Sequence, residues 1–244
     1  MFKKLISVIV LASTIAVTSA HATTPDRIQF AWTVESGNIT QVQEWFKTGL
    51  NPNYEGNVIG PGLLIAAWNG NIDMMKLFIA NGANINQKNK HGETALALAA
   101  WNGHKQAIDW LLANGATLNR PEKSWGALHY ATFNGHTDLV KHLISQGADV
   151  NARVPNGATA IMLAAREGKT DAAKLLLENG ANLKYKSDWN DTAVTMAVRN
   201  NHLTLAKMVS TQEEFVQAID TVKYTPSSRS TAAPTPISEL IDKI

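Results

Sequence analysis

The sequence contains no cysteine among its 244 residues. This absence excludes a disulfide framework, a thiolate metal site, a cysteine nucleophile and a lipid-modified cysteine. Long hydrophobic runs are also scarce, and the apolar stretch from Leu5 to Val17 has 13 residues. A helix needs about 20 apolar residues to cross a bilayer, so this run is too short for a transmembrane span.

Residues 1–22 have the pattern of an export signal. Lys3 and Lys4 precede the apolar run, and small residues end the segment at Ala20 and Ala22. We predict cleavage after Ala22 and a periplasmic or secreted mature protein without a membrane anchor. Loss of the two lysines reduces 22 basic residues to 20, equal to the 20 acidic ones. A neutral mature chain lacks the electrostatic footprint of a protein that binds nucleic acid or an anionic membrane.

An internal repeat of 32 or 33 residues runs through the rest of the sequence. The segment Ala-Ala-Trp-Asn-Gly occurs at 66–70 and 99–103, and Ala-Thr-Phe-Asn-Gly follows at 131–135. Two glycine series mark each unit. The first series is Gly37, Gly70, Gly103, Gly135 and Gly168, with Asn201 next in line, and the second is Gly49, Gly82, Gly115, Gly147 and Gly180. Two breaks in each unit predict two short elements per unit.

Both elements have helical patterns. An Ala- and Leu-rich stretch precedes each glycine of the first series, and an apolar i, i+1, i+4, i+5 pattern, such as that of residues 107–112, precedes each glycine of the second. Thr94, Thr159 and Thr192 recur where a hydroxyl can cap the first helix. Helices this short are marginal alone in water, so we expect neighbouring units to stabilise each other by stacking.

Three segments carry a resemblance to a known family. They read HGETALALAAWNGHKQAIDWLLANGATLN (91–119), WGALHYATFNGHTDLVKHLISQGADVN (125–151) and NGATAIMLAAREGKTDAAKLLLENGANL (156–183). This sequence resembles ankyrin repeats, although the family's Thr-Pro-Leu-His segment is altered in several units. The resemblance implies an all-α solenoid of about six stacked helix-turn-helix units with protruding loops and a concave groove.

The repeat pattern divides the chain into four parts. A signal peptide at 1–22 precedes an array at 23–210, whose repeats span about 23–53, 54–86, 87–119, 120–151, 152–184 and 185–210. At 211–224 we predict a capping helix that buries Phe215, Val216 and Ile219, because a repeat array needs an end unit with a polar outer face. Residues 225–244 have the composition of a flexible tail with a short amphipathic segment.

Nothing in the sequence indicates catalysis. It has no Walker-type glycine loop, His-Glu-x-x-His segment, EF-hand loop or Gly-x-Ser-x-Gly elbow. His104, His136, His202 and His129 recur at repeat positions and are interpreted as framework hydrogen bonders. His91 and His142 remain, and two ligands are fewer than a metal site needs. We expect no catalytic residue, no cofactor and no metal.

Large aromatic residues recur two positions before the glycines of the first series. The resemblance implies that these positions, and the loop tips, line the concave groove. The predicted partner-binding residues are Trp68, Asn69, His91, Glu93, Trp101, Asn102, Trp125, Phe133, Asn134, Arg166, Trp189 and Arg199. Trp32, Trp45 and Trp110 are predicted to pack inward. The aromatic rings could instead wedge between neighbouring first helices, in which case they would be buried.

Trp and Arg dominate the hot spots of protein interfaces. The leading hypothesis is therefore a non-enzymatic scaffold, monomeric alone, that docks another exported protein in this groove and stabilises an enzyme or neutralises a toxin. The alternative is binding of a carbohydrate or cell-wall fragment, because sugar rings stack on aromatic side chains. The sequence lacks the convergent carboxylates and deep pocket that would favour this alternative.

Overall fold

The computed structural model describes residues 24–120 and 123–224. Within these ranges the chain forms thirteen α-helices and no β-strand, and the first twelve helices form six consecutive pairs. The first helices of the pairs are α1 (Arg27–Glu35), α3 (Gly62–Trp68), α5 (Ala95–Trp101), α7 (Ala127–Asn134), α9 (Ala160–Glu167) and α11 (Ala193–Arg199). The second helices are α2 (Ile39–Lys47), α4 (Ile72–Ala80), α6 (Lys105–Ala113), α8 (Thr137–Ser145), α10 (Thr170–Glu178) and α12 (Leu203–Met208). The predicted all-α solenoid is confirmed.

The first helices form the centre of the stack. Each packs against the first helix of the next pair, from α1 against α3 to α9 against α11. Their alanines are fully buried: Ala66, Ala67, Ala99, Ala100, Ala131, Ala164 and Ala165. The second helices bury one side only, as α6 does with Ala107, Ile108 and Leu111. The apolar pattern of the sequence therefore matches the side of α6 that packs on the stack.

The helix ends agree with most of the predicted signals. After α7, Gly135 has a φ of +75°, and the asparagine that replaces glycine at position 201 has a φ of +60°. Thr94 and Thr192 accept hydrogen bonds from the backbone N–H three residues later, at 3.4 and 3.3 Å. Thr159 does not, because its hydroxyl is buried without a hydrogen-bond partner in the described part of the chain. The predicted cap at Thr159 is therefore wrong.

Asparagines that the sequence analysis did not single out join neighbouring loops. Asn86, Asn119 and Asn151 each donate from the side-chain amide to the carbonyl of the helix-ending glycine of the next repeat. The acceptors are Gly115 (3.2 Å), Gly147 (2.7 Å) and Gly180 (3.0 Å). Each side-chain oxygen also accepts from a backbone N–H two residues beyond that glycine, at 2.8 Å. This ladder connects each loop to the next.

The helix α13 (Gln212–Tyr224) follows the sixth pair and packs against α11 and α12. Phe215 and Ala218 are buried against the array, and Ile219 is half-buried. Val216, which was predicted to face inward, is 49% exposed. It lies one residue beyond Phe215 and therefore about 100° around the helix, away from the packed side.

The predicted signal peptide at 1–22 and the predicted tail at 225–244 lie outside the described residues. Across 24–120 and 123–224, no helix has the length and hydropathy to cross a bilayer. The longest of these helices, α13, has 13 residues.

Candidate functional site

A continuous row of side chains lies at the C-terminal ends of four first helices. Trp68 and Trp101 stack with ring centroids 6.3 Å apart and an interplanar angle of 20°. Phe133 follows, its centroid 5.6 Å from that of Trp101. The guanidinium carbon of Arg166 lies 5.2 Å from the centre of the Phe133 ring, a cation–π distance. We call these four side chains the aromatic row.

The rings of the row are half-buried. They are therefore neither sealed inside the stack nor fully open to solvent. Trp101 touches rings on several sides, because the ring of Tyr130 also lies edge-on at 5.2 Å. Stacked or edge-on aromatic pairs contribute roughly 0.5–1.5 kcal/mol beyond the burial of their surface. The row thus stabilises the array and still presents part of its surface.

The predicted asparagines beside the row take part in the framework. Asn102 donates to the carbonyl oxygen of Trp68 at 2.9 Å, and Asn134 donates to that of Trp101 at 3.1 Å. Both side chains are half-buried. Asn69 is exposed, and in the described part of the chain its side-chain amide bonds the Ile65 carbonyl of its own repeat at 3.0 Å. Of the three, Asn69 is therefore the most available to a partner.

The framework role predicted for the histidines is confirmed at three positions. His104 bonds through Nε2 to the Trp68 carbonyl at 3.0 Å, the same carbonyl that Asn102 uses. His136 bonds in the same way to the Trp101 carbonyl at 2.8 Å, which it shares with Asn134. His129 is buried, accepts from the Gly126 N–H through Nδ1 at 3.1 Å and bonds the Ala152 carbonyl at 3.0 Å. Burial lowers the pKa of His129.

Two predicted partner-binding residues are buried, which corrects the expectation that they line a groove. Glu93 is 4% exposed and Trp125 is 8% exposed. The hydroxyl of Tyr130 donates to Glu93 Oε1, and the amide of Asn89 donates to Glu93 Oε2 at 2.9 Å. The indole of Trp125 stacks on Tyr130 with centroids 5.1 Å apart. Burial is the main cause that raises the pKa of Tyr130 far above its ordinary value.

The burial of Glu93 and Trp125 has a common cause in the repeat. Positions 93 and 125 belong to one register that continues through 60, 158 and 191, and all five residues are buried. This register lies just before the first helix of each pair, where neighbouring repeats cover it. The register two residues earlier is more open, since His91, Lys123 and Trp189 are exposed and its other two members, Val58 and Asn156, are half-buried.

The three tryptophans predicted to pack inward differ in how far they are buried. Trp45 is buried and Trp110 is half-buried. Trp32 is 67% exposed, so that prediction is wrong. Its equivalents in the five later repeats are Ile65, Leu98, Tyr130, Leu163 and Met196, all buried. In the described residues no repeat precedes α1, and Trp32 therefore has nothing to cover it.

Arg166 and Arg199 lie at the C-terminal end of the same surface. Arg166 donates from Nε to Glu167 at 2.7 Å, and Arg199 donates from one terminal nitrogen to Asp191 at 2.7 Å. The exposed Trp189 lines a pocket together with both arginines. These three predicted residues are therefore brought together by the fold.

On the second helices, one cluster of charges joins two repeats. Asp109 of α6 contacts Lys105 Nζ at 2.7 Å and His142 Nε2 of α8. The hydrogen bond from Lys105 lowers the pKa of Asp109, burial works against it, and His142 lowers it further. Within the two described ranges, no three His, Asp or Glu side chains are grouped as metal ligands.

Residues 63–154 and 128–220 match the family model described as "Ankyrin repeats (3 copies)". The two matches together cover more than half of the chain. The chain belongs to the ankyrin repeat family. Ankyrin repeats suggest a scaffold for protein–protein interaction, and the family is generally non-enzymatic. No curated protein matches the chain.

Proposed function

We infer that this ankyrin repeat protein is a non-enzymatic scaffold that docks another exported protein on the surface containing the aromatic row. The continuous stack from Trp68 to Arg166 carries the proposal. It presents three aromatic rings and a guanidinium on consecutive repeats, and Trp, Tyr and Arg are the residues most enriched in interface hot spots.

The surroundings of the row support this function. Asn69, His91 and Trp189 are exposed polar or aromatic side chains, and Asn69 directly follows Trp68 of the row. The hydrogen bonds of Asn102 and Asn134 fix the ends of the helices that bear the row. Because the rings are already positioned, a partner meets a surface that loses little conformational freedom on binding.

Carbohydrate binding is less well supported. A sugar stacks on the flat face of an aromatic ring, and the faces of Trp101 are turned toward Trp68 and Phe133. These neighbouring rings restrict the access of a sugar to the faces of Trp101. Titration of the protein with cell-wall oligosaccharides, followed by tryptophan fluorescence, tests this alternative, and a saturable change would favour it.

The partner belongs to the compartment that the predicted signal peptide specifies, the periplasm or the exterior. It is an enzyme that the scaffold stabilises or a toxin that it neutralises, and the scaffold alone is a monomer. Amino-terminal sequencing of the exported protein tests cleavage after Ala22. Light scattering after size-exclusion chromatography tests the monomeric state.

A photo-cross-linking amino acid at position 69 tests the docking surface. Asn69 is exposed beside Trp68, whereas Gln106 is exposed on α6, a second helix. We expect one discrete cross-linked product from position 69 in the native compartment and none from position 106, which is the matched control. Mass spectrometry then identifies the partner.

The purified partner provides the second measurement. Its affinity should fall by about 2 kcal/mol when Trp101 is replaced by alanine, the scale of an interface hot spot. Equal products from positions 69 and 106, or a partner whose affinity ignores the Trp101 change, would count against the proposed surface.

A further inference from the structure

A groove lies at the C-terminal end of the array, between α13 and the segment that leads into α11. One wall is the side of α13 that carries Gln217, Ala218 and Thr221, residues spaced three and four apart along one side of the helix. The apolar lining consists of Leu183, Val194, Val209 and Ala218. The groove has a volume of about 660 Å³, within the range of about 300–1,000 Å³ that is typical of ligand sites. We call it the end groove.

The repeat explains why this surface is open. Val194 shares a register with Phe30, Leu63, Leu96, Leu128 and Ile161, and Thr195 shares one with Ala31, Leu64, Ala97, His129 and Met162. All ten of these earlier residues are buried, whereas Val194 and Thr195 are half-buried. In the fourth repeat the loop of the next repeat covers this position, since His129 bonds the Ala152 carbonyl at 3.0 Å. No helix pair follows α12 in the described residues, so the end groove lies where a seventh repeat would place its loop.

The groove carries a small excess of positive charge. Lys184 and Lys186 line it, both exposed, and neither forms an ion pair with another described residue. Glu214 is the acidic residue of the lining, and its carboxylate accepts from the Thr211 N–H at 2.8 Å. Two lysines against one glutamate leave a net charge of +1. An apolar occupant with acidic side chains would therefore suit the groove.

The chain leaves α13 beside the end groove. Thr221 lines the groove, and α13 ends three residues later, at Tyr224. Residues 225–236 then separate α13 from the sequence Ile-Ser-Glu-Leu-Ile-Asp-Lys-Ile at 237–244. An extended chain of this length reaches up to about 40 Å. The groove follows α13 from Glu214 to Thr221, about 10 Å of helix, so residues 237–244 can reach all of it.

Residues 237–244 have the composition that the end groove requires. Four apolar residues recur at i, i+3, i+4 and i+7, the spacing of one helix face: Ile237, Leu240, Ile241 and Ile244. Glu239 and Asp242 against Lys243 give the segment a net charge of −1, opposite in sign to that of the groove. Both the apolar pattern and the charge are therefore complementary to the lining.

We propose that residues 237–244 of this chain bind in the end groove, with their apolar face on Leu183, Val194 and Ala218 and their acidic side chains beside Lys184 and Lys186. The segment thereby takes the place of a seventh repeat and covers the last apolar surface of the stack, as a terminal capping unit must. Its connection to α13 gives it an effective concentration on the order of millimolar at the groove, an advantage over any free partner. This binding is independent of the proposed docking function, since no side chain of the aromatic row lines the groove.

Disulfide trapping in the full protein tests the contact. The chain has no cysteine, so two introduced cysteines report on one pair of positions. Ser238→Cys is combined with Gln217→Cys, on the groove wall, or with Val216→Cys as the matched control. Val216 is exposed, does not line the groove and lies about 100° around α13 from Gln217. We expect the disulfide within one chain to form about tenfold faster or more with Gln217→Cys, because binding concentrates position 238 at the groove.

Substitutions in the segment test what holds it there. Leu240→Ser with Ile241→Ser removes apolar contacts and should lower the rate with Gln217→Cys to that with Val216→Cys. Ala232→Ser with Ala233→Ser makes two changes in residues 225–236 and should leave the rate unchanged. Lys184→Glu with Lys186→Glu should slow the reaction, and adding Glu239→Lys with Asp242→Lys should restore part of the rate.

Three results would overturn the proposal. The first is an equal rate of disulfide formation with Gln217→Cys and Val216→Cys. The second is a rate that survives Leu240→Ser with Ile241→Ser, which would show that the apolar face is not bound. The third is a disulfide-linked dimer as the main product at low protein concentration, which would assign the groove to the segment of a second copy. Both cysteine positions on α13 are exposed, and residues 237–244 lie outside the array, so these variants keep the packed core intact.

Discussion

Tyr130→Phe tests the buried contact between Tyr130 and Glu93. The hydroxyl of Tyr130 donates to Glu93 Oε1, and both side chains are buried; the two residues are 37 positions apart in the sequence and belong to neighbouring repeats. Removing the hydroxyl leaves one carboxylate oxygen without its donor, and Asn89 still serves the other. A buried acceptor that loses its partner costs about 1–3 kcal/mol, more when it is charged. We therefore expect the free energy of unfolding to fall by about 2–3 kcal/mol.

The assay is unfolding in urea, followed by circular dichroism, together with a thermal melt. For a chain of this size the change corresponds to a fall in melting temperature of roughly 4–12 °C. Tyr185→Phe removes the same hydroxyl from an exposed ring and should change stability by less than about 0.5 kcal/mol. A Tyr130→Phe protein as stable as Tyr185→Phe would show that the contact does not stabilise the stack.

The pH dependence gives an independent check of the same contact. The pKa of Tyr130 is raised from 10.0 in the folded protein, because burial and Glu93 both disfavour the phenolate. Below pH 10 the phenol is neutral in both states, so its contribution is fully present. Above pH 10 the unfolded phenol ionises while the folded one does not, and stability is lost as the pH rises. The difference between wild type and Tyr130→Phe should therefore shrink above pH 10.

Three further predictions concern other parts of the array. The lowered pKa of Asp109 implies stability that is present at neutral pH and lost as the pH falls below 3.8. Asp109→Asn should therefore reduce the loss of stability below pH 3.8. The reduction should be well under 1 kcal/mol, since the side chain of Asp109 is 43% exposed. Asn119→Ala removes two hydrogen bonds between loops and should cost about 1–2 kcal/mol in a urea melt. Trp45→Ala should cost about 3–5 kcal/mol, whereas Trp32→Ala should cost less than about 1 kcal/mol.

Controls exist for each of these substitutions. Asp73→Asn alters an exposed ion pair within one helix and should leave the loss of stability below pH 3.8 unchanged. Asn114→Ala removes an exposed hydrogen bond from the Asn114 amide to the Trp110 carbonyl at the end of the same helix. If it lowered the free energy of unfolding as much as Asn119→Ala, the bridging role of the ladder would be contradicted. If Trp32→Ala destabilised the protein as much as Trp45→Ala, the exposure of the α1 surface would be wrong.

The helices and their ends could be predicted from the sequence because the relevant interactions are local. A glycine or asparagine with positive φ, a capping threonine and an apolar stripe act within a few residues. The framework role of the histidines could be predicted for a related reason, because His104 and His136 recur with the repeat. The same spacing would have revealed Asn86, Asn119 and Asn151, whose positions differ by 33 and 32 residues.

Burial of Glu93 and Trp125 could not be predicted, because it depends on which neighbour covers the start of each first helix. A shift of two residues along the loop separates the buried Glu93 from the exposed His91. The partner of Glu93 is Tyr130, whose hydroxyl is supplied by the following repeat and has no counterpart at the equivalent positions of the other repeats. Trp32 was misassigned for the opposite reason, since its register is buried only where an earlier repeat exists.

The aromatic row connects the stability of the array to its proposed binding. In a stacked-repeat protein, the stability of each unit depends on its contacts with the adjacent units. The aromatic row supplies such contacts across three consecutive interfaces between repeats: Trp68 with Trp101, Trp101 with Phe133, and Phe133 with Arg166. The contacts that stabilise the stack also hold the rings in place before a partner arrives, so less freedom is lost on binding. A loss of affinity in a row variant therefore measures a partner contact only when its melting curve shows the array still folded at the assay temperature.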